Sequence, residues 1–353
     1  MGHVTTANIR HICYQVLCSL NVRPLMSEPS VPQDVERRSG NVKSLTRDRR
    51  MEDFPSLPPA LPEGDTGIAA RHPGDVGIET DAAVLFHDDF EDCRTPADLH
   101  RKWSTVSHEG NMRIAEEPAS VHSGKRSLEI IMPKQRERWA IEVWRSLARE
   151  QDVLSLRFYA RVEEGFDVPL NSIHNGGIIS GKYWRGESAG PGKPSDGRNK
   201  FLVNYELQIA SPVKLPSPGP LDIYIYHPEQ RGNYGDHFYP TGVATPNTNV
   251  PYDFGPHFVP RPDFVPALGR WYCYEYMVKM NTPGRRDGRI GCWVDGKLIA
   301  DFLNLRLRDT ETLKIDLFGI GLFIADNSRR ENKKWYDDVV AATSYVGPRV
   351  ERP

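Results

Sequence analysis

From about Val84 onward, apolar and polar side chains alternate with a period of two along one segment after another. The clearest examples are "SLRFYARV", "KFLVNYELQIA", "PLDIYIYH", "RWYCYEYMVKM" and "LKIDLFGIGLFIA". A period of two places successive side chains on opposite faces of a strand. Many such segments with turn residues between them predict an all-β fold, a two-sheet antiparallel β-sandwich. Helical patterns are scarce, and "RTPADLHRKW", with Thr95 as its cap, is the best candidate.

The composition fits many short strands and excludes some partners. Glycine and proline number 29 each, which favours strands joined by turns over long helices. The formal net charge of -2 gives no reason to expect nucleic acid as a partner. No apolar run approaches the roughly 20 residues that span a bilayer, so we expect no membrane span. We expect the protein to be a monomer.

Residues 1–80 differ from the rest of the chain, and we expect a disordered or linker extension there. Their longest tract, "SEPSVPQDVERRSGNVKSLTRDRRMEDFPSLPPALPEGDTG", is rich in Pro, Ser and charge. Such a tract cannot bury enough surface to offset its chain entropy. The apolar stretch before it is a poor signal peptide, and Met26 or Met51 is an alternative start. The folded domain is predicted over residues 81–350.

The five cysteines are expected to be free thiols. None lies in a CxxC pair. "NTPGRRDG" predicts a hairpin turn near Arg285 and Arg286, which would place Cys273 opposite about residue 298. A disulfide between Cys273 and Cys292 is therefore doubtful.

One face of the middle strands carries hydrogen-bonding side chains instead of a bland surface. They are Arg157, Tyr159, Asn204, Glu206, Gln208, Tyr224 and Tyr226. If the sheet is curved, this face forms a groove, with His227 and Tyr234 of the segment "IYIYHPEQRGNYGDHFYP" at its rim. Phenols, amides and imidazoles together suit a ligand that is both ring-shaped and polar.

Three further stretches carry a resemblance to a known family. They are "FHDDFED", "GRWYCYEYMVKMNTPGRRDGRIGCWVDGKLIADF" and "WYDDVVAATSYVGP". Together they resemble secreted concanavalin A-like jelly-roll proteins, and most closely the alginate-lyase-like polysaccharide lyases of family 14 type. The resemblance covers about residues 84–348 and implies a jelly roll, a polysaccharide substrate and a secreted or periplasmic location. One fold of this kind hosts lyases, hydrolases and sugar binders.

The resemblance also implies site residues. Tyr224 and Tyr226 match the family's Tyr-x-Tyr pair, and Lys182 in "GGIISGKYW" matches a lysine in a Gly-rich stretch. The family's Ser-x-Arg element has no clean match, because the neighbouring strand reads "VNYELQ".

The implied reaction is β-elimination of a uronate-containing polysaccharide. A lyase must neutralise the C6 carboxylate, remove the C5 proton and protonate the leaving oxygen. Tyr224 or Tyr226 would carry the proton. The candidates for charge neutralisation are His174, Asn175, Lys182, Arg198 and His227. Further substrate contacts are expected from Arg157, Asn204, Gln208, Tyr234 and Trp184, and the chemistry itself needs no cofactor.

Two other functions remain open. A glycoside hydrolase needs two carboxyl groups about 5 to 9.5 Å apart, and Glu206 could pair with Glu275 or Asp222. A sugar-binding protein without turnover could stack sugars on Trp184, Tyr183 or Tyr239. The plainer interpretation is that these aromatic side chains anchor their own loops.

Acidic pairs near both ends of the domain suggest a structural Ca²⁺. In a jelly roll the first and last strands often neighbour each other, so Asp89, Glu91 and Asp338 could supply oxygen ligands. The alternative is that these carboxylates cap turns.

Overall fold

The computed structural model describes residues 58–134, 139–166, 173–174, 176–207, 218–245, 252–324 and 330–352. Residues Leu57–Pro353 form one compact unit. The described part is built almost wholly from antiparallel strands, which confirms the predicted two-sheet sandwich. Among the described residues, no helix has the length and apolar character needed to cross a membrane.

The strands and short 3-10 helices share the chain as follows. In chain order the strands are β1 (Val84–Asp88), β2 (Thr105–Val106), β3 (Met112–Ala115), β4 (Ser127–Met132), β5 (Trp139–Gln151), β6 (Val153–Val162), β7 (Ile173–His174), β8 (Gly177–Gly181), β9 (Phe201–Leu207), β10 (Leu221–Tyr226), β11 (Asp236–Phe238), β12 (Ala244–Thr245), β13 (Tyr272–Lys279), β14 (Gly288–Val294), β15 (Lys297–Leu305), β16 (Ile315–Ile324) and β17 (Asn332–Ala342). The 3-10 helices are Ile68–Arg71, Pro73–Asp75, Ile78–Thr80, Pro96–Arg101, Glu109–Asn111 and Pro118–Ser120.

Two sheets face each other. The back sheet has eight strands in the order β15-β14-β13-β6-β17-β4-β3, with β1 also paired to β17. The front sheet has nine strands in the order β12-β11-β10-β9-β7-β16-β5-β2, with β8 paired to β16 and β9. The pairing of β1 with β17, Phe86 opposite Ala341, agrees with the expectation that the first and last strands are neighbours.

The core lies between the sheets and follows the alternation of the sequence. On β9, Val203 and Tyr205 point inward, and on β16, Phe318 and Ile320 do the same; all four are almost fully buried. Each such side chain contributes about 1.5–3 kcal/mol when it leaves water. The intervening residues of the same strands therefore lie on the outer faces of the sheets.

The hairpin around residue 285 has a different register from the predicted one. "RIGCWVDGKLIADF" forms two strands, because the chain turns at Asp295 and continues as β15. Tyr274 lies opposite Val294, so Cys273 lies opposite Asp295, whose backbone N–H donates to its carbonyl at 2.8 Å. Cys93, Cys273 and Cys292 are free and buried, as expected. Cys13 and Cys18 lie outside the described residues.

The predicted helix at "RTPADLHRKW" is one short 3-10 helix, Pro96–Arg101, with Thr95 at its N-cap. The Asp98 carboxylate accepts hydrogen bonds from the backbone N–H groups of Arg94 (2.8 Å) and Thr95 (3.0 Å). These bonds satisfy donors that the chain would otherwise leave unpaired at this end.

The packed domain begins upstream of the predicted boundary at residue 81. Ile68, Ala69 and Ile78 are buried and pack against Val340 and other residues near the end of the chain. The assignment of residues 58–80 to a disordered extension is therefore wrong, because this segment covers the outer face of the back sheet. The other residues of the expected extension, 1–57, lie outside the described part.

Candidate functional site

The candidate site is the outer face of the front sheet where β9, β10 and β11 run side by side. Tyr224 on β10 lies opposite Asn204 on one side and His237 on the other. In the next outward-facing row, Asp222 lies opposite Glu206. The alternation that sends Val203 and Tyr205 into the core places these polar side chains on one surface.

Tyr224 and Tyr226 form a hydrogen-bonded pair on this face. Their hydroxyl oxygens are 3.4 Å apart, and their rings meet edge to face with centroids 5.6 Å apart. The Tyr224 hydroxyl accepts a bond from the Gly235 backbone at 3.1 Å, and the Tyr226 hydroxyl accepts one from Gly192 at 3.3 Å. Burial and the neighbouring Tyr226 phenol raise the pKa of Tyr224 above its usual range, so this phenol keeps its proton at neutral pH.

Lys200, just before β9, places its ammonium group against Tyr226 of the tyrosine pair. Its Nζ lies 5.1 Å from the ring centre of Tyr226 and 5.0 Å from that of Tyr183, and it donates to the Gly190 carbonyl. Burial, and then the charge of Lys193, lower the pKa of Lys200 to about 8. The side chain is therefore mostly charged at neutral pH and close to its titration point.

Lys200 was not among the predicted site residues, although the sequence contains a signal for it. Positions 200, 202, 204 and 206 share one parity and therefore one face of the strand. Extending the alternation of "KFLVNYELQIA" by its first letter would have placed the lysine beside Asn204 and Glu206.

His237 is the second site residue that the sequence analysis missed. Its Nδ1 is 2.6 Å from a carboxylate oxygen of Asp222 and 3.9 Å from one of Glu206, and its ring lies 4.8 Å from that of Tyr224. Burial raises the pKa of Asp222, and the nearby His237 opposes that shift. The strand that carries His237 has only three residues, Asp236–Phe238, which is too short for a recognisable alternation.

The predicted open groove is wrong at the centre of this face. Tyr226 and Glu206 are fully buried, and Tyr224 is only 8% exposed. The Tyr183 ring packs edge to face on Tyr226 with centroids 5.2 Å apart. The loop of residues 182–199, called the cover loop, also bonds through Gly192 to the Tyr226 hydroxyl. The cover loop therefore packs directly on Tyr226.

Exposed aromatic side chains lie at the edge of the covered face. Trp184 is 41% exposed and stacks on Trp144 with ring centroids 4.8 Å apart. Tyr234 is 48% exposed. Flat, exposed rings of this kind suit contact with sugar rings.

The structure places three predicted site residues on the back sheet: Arg157, Tyr159 and Glu275. Arg157 on β6 is fully buried, with a guanidinium nitrogen 2.5 Å from a carboxylate oxygen of Asp75. Glu275 on β13 accepts hydrogen bonds from the backbone N–H groups of Val346 and Gly347. Alternation assigns a face within a strand but not the sheet, so Arg157 and Glu275 share no surface with Glu206.

The other predicted substrate residues are dispersed. His227 is fully buried, with Nε2 2.7 Å from the Asp236 carboxylate and its ring against Phe238, so it belongs to the interior and not to the rim. Arg198 is exposed in a turn of the cover loop. Lys182 begins that loop with a positive φ of 52°, and its backbone N–H donates to Asp316 at 3.1 Å.

Three further predicted residues lie in or next to segments that the structure does not describe. His174 belongs to the two-residue strand β7 and lies opposite Phe323. Asn175 and Gln208 lie outside the described residues.

The three predicted calcium ligands take part in separate local networks. Glu91 accepts from the backbone N–H groups of residues 125 and 126 at 2.6 and 2.8 Å. Asp338 accepts from the ring of His122 and the hydroxyl of Ser123, both at 2.8 Å, and Asp89 accepts from the Glu91 backbone at 3.2 Å. The structure does not bring these carboxylates together as a ligand set, and a structural Ca²⁺ here stays a prediction.

The fold is that of known jelly-roll lyases. Alginate lyase Aly36B, as a double variant in complex with an alginate trisaccharide, matches with a TM-score of 0.53 and 17% identity, over 74% of this chain and 99% of that one. The PL-14 alginate lyase from Aplysia kurodai matches with a TM-score of 0.50 and 14% identity, over 74% of this chain and 100% of that one. No family model and no curated protein matches the sequence. At these identities the likeness shows the fold, a concanavalin A-like jelly roll, which confirms the predicted class.

Proposed function

We propose that the protein is a polysaccharide lyase that cleaves a uronate-containing polysaccharide by β-elimination. The observation that carries the proposal is the tyrosine pair, Tyr224 and Tyr226, with the buried Lys200 ammonium against it on the outer face of the front sheet. A phenol that keeps its proton and a nearby cation are two of the groups that this reaction needs.

The roles follow from the chemistry of elimination. A base takes the C5 proton, the C5–H electron pair forms a C4=C5 double bond, and the C4–O bond breaks as the leaving oxygen takes a proton. Tyr224, whose pKa is raised, suits protonation of that oxygen. In this proposal Tyr226 is the group that takes the C5 proton. The positive charge of Lys200 stabilises the negative charge that develops on the carboxylate as the enolate forms.

A second Aly36B structure, also a double variant, has the same fold. That variant has a lysine and a tyrosine replaced by alanine and holds an alginate tetrasaccharide; it matches with a TM-score of 0.53 and 16% identity over 77% of this chain. We propose that Lys182 adds a second positive charge when the cover loop opens.

Location and substrate class belong to the same proposal. The solved neighbours act on alginate, and we propose an acidic polyuronate as the substrate of this protein. Such polymers lie outside cells, so we propose a secreted or periplasmic monomer.

A second candidate function has one observation in its favour. Glu206 and Asp222 each offer a carboxylate oxygen, and these atoms lie within 4.8 Å of each other. A carboxyl pair at a comparable spacing is the machinery of retaining glycoside hydrolases. In that case Asp222, whose pKa burial raises, would be the acid.

A polyuronate panel with two readouts separates the candidates. The full chain is incubated with alginate and other polyuronates, and both ultraviolet absorbance and reducing ends are followed. New absorbance from an unsaturated uronate supports the lyase. Reducing ends without that absorbance indicate the hydrolase, and retention on a polysaccharide gel without any product indicates a binding protein.

A further inference from the structure

We propose that Glu206, Asp222 and His237 form a binding site for a divalent metal ion beside Tyr224. One ligand atom from each of the three side chains lies within 4.8 Å of the others, and all three residues are buried. They come from β9, β10 and β11, three adjacent strands of one sheet, which hold the donors in fixed positions.

The charges of the cluster favour a cation. Glu206 and Asp222 are direct cross-strand partners, at 0% and 2% exposure. Two carboxylates that share a buried site repel each other and lose hydration. The His237 Nδ1 lies 2.6 Å from a carboxylate oxygen of Asp222 and 3.9 Å from one of Glu206, so an imidazole nitrogen reaches both carboxylates.

Two buried oxygen atoms give independent support. Oδ1 of Asp222 and Oδ1 of Asn204 are both buried and have no hydrogen-bond partner. The Asn204 amide nitrogen lies 3.3 Å from a Glu206 carboxylate oxygen, so this amide belongs to the same cluster. Both orphaned atoms are pure acceptors, and leaving such an acceptor buried and unpaired costs about 1–3 kcal/mol. A metal ion held by the three side chains would give Asp222 the partner that its Oδ1 lacks.

The donor set indicates which ion. Two carboxylates and one imidazole form a mixed N/O set with few ligands. Ca²⁺ prefers six to eight oxygen ligands, whereas imidazole suits first-row transition metals. We therefore assign the site to Zn²⁺ or Mn²⁺.

The role of the ion rests on the proposed function. The His237 ring lies 4.8 Å from the Tyr224 ring, so a cation in the cluster is close to the tyrosine pair. It would attract the substrate carboxylate in place of the arginine that "VNYELQ" lacks. This differs from the expectation, drawn from the sequence, that the chemistry needs no cofactor.

Calorimetry on the full chain tests the site directly. The chelator-treated protein is titrated with ZnCl₂, MnCl₂ and CaCl₂. We expect one equivalent of Zn²⁺ or Mn²⁺ per chain with much weaker Ca²⁺ binding, and we expect Asp222→Asn and His237→Gln to weaken binding at least ~10–100-fold. The matched control is Asp236→Asn, at the residue before His237. This variant breaks the separate buried pair of His227 and Asp236 and should keep the wild-type affinity for metal.

Several outcomes would overturn the site. They are no binding by the wild type, equal affinity in Asp222→Asn, or an equal loss in the Asp236→Asn control. Because a buried variant could unfold, X-ray absorption of the Zn²⁺-loaded wild type gives a second readout. It should show an N/O shell with one imidazole, and a shell without imidazole would contradict the assignment.

The role is tested separately from the site. Polyuronate cleavage should stop after chelation and return with Zn²⁺ or Mn²⁺. Equal turnover with and without metal would refute the role of the ion in charge neutralisation. Calorimetry would still decide whether the three side chains bind a metal. Absence of product under every condition would count against the lyase and not against metal binding.

Discussion

The Lys200 ammonium nitrogen lies 5.1 Å from the ring centre of Tyr226, beneath the cover loop. The same nitrogen donates to the carbonyl of Gly190 in that loop, and the Tyr226 hydroxyl accepts from Gly192 two residues further on. The cover loop therefore bonds both to Lys200 and to Tyr226, the proposed proton carrier. Opening the loop would release both the lysine charge and the phenol towards a substrate.

Replacing Tyr226 by phenylalanine should abolish turnover without unfolding the protein. The variant removes the proposed proton carrier, so we expect a loss of at least ~100-fold in the rate of double-bond formation. The Gly192 N–H and the Tyr224 hydroxyl each lose an acceptor, at a cost of about 1 kcal/mol for each hydrogen bond. Ultraviolet absorbance measures the rate and circular dichroism the fold. A folded Tyr226→Phe protein with wild-type turnover would rule this residue out.

The charge of Lys200 should give activity an upper pH limit. Burial lowers the pKa of Lys200 to about 8, so the ammonium is present below that pH and lost as the pH rises through it. Turnover should therefore fall between about pH 7 and 9. Lys200→Arg should keep turnover over that range, because arginine stays charged.

Lys193 provides the matched control for this pH profile. Its charge contributes to lowering the pKa of Lys200, so Lys193→Met should move the fall in turnover to higher pH. A decline in Lys200→Arg as steep as that of the wild type would show that another group sets the limit.

Glu142 should make the protein less stable as the pH rises. Burial raises the pKa of Glu142 from 4.5 to about 7, so the folded state binds a proton that the unfolded state releases between these values. The free energy of unfolding should fall across this window and stay lower above it. Each pKa unit is worth about 1.4 kcal/mol, so Glu142→Gln should be more stable at pH 8 by on the order of 3 kcal/mol at most. Urea denaturation at pH 5 and pH 8 measures the difference, and an unchanged pH dependence in the variant would refute it.

Asp75 should matter for stability and not for catalysis. Its carboxylate pairs with the fully buried Arg157 on the back sheet, far from the tyrosine pair in the fold. Removing one partner of a buried ion pair costs about 3–5 kcal/mol. Asp75→Asn should unfold at lower urea concentration with unchanged turnover, whereas Asp81→Asn, at the partly exposed pair with Arg71, should change stability much less. Reduced turnover in folded Asp75→Asn would contradict this separation.

The alternation of apolar and polar residues was enough to predict the sandwich and the part of the candidate site that lies on β9 and β10. Asn204, Glu206, Tyr224 and Tyr226 share the predicted face because a strand has a fixed period of two. Arg157 follows the same rule within β6, but its strand pairs with β13 and β17 of the other sheet. Sheet membership depends on long-range pairing, which local periodicity does not contain.

The packing of the cover loop on Tyr226 could not be predicted from the sequence for a similar reason. Tyr183 and Gly192 of the cover loop contact Tyr226 across 34 or more positions of sequence, and no periodic pattern describes such contacts. His237 lies on a strand of three residues, and only its pairing with β10 reveals which face it takes.

The segment before residue 81 also decides where the chain can be shortened. Trp293 donates its indole N–H to the Pro62 carbonyl at 2.8 Å, and Arg289 donates to the Pro59 carbonyl at 2.8 Å. A recombinant fragment that starts at residue 81 would remove the acceptors of both donors. It would also remove Asp75, the counter-ion of Arg157. Fragments for expression and crystallisation should therefore keep everything from residue 58 onward.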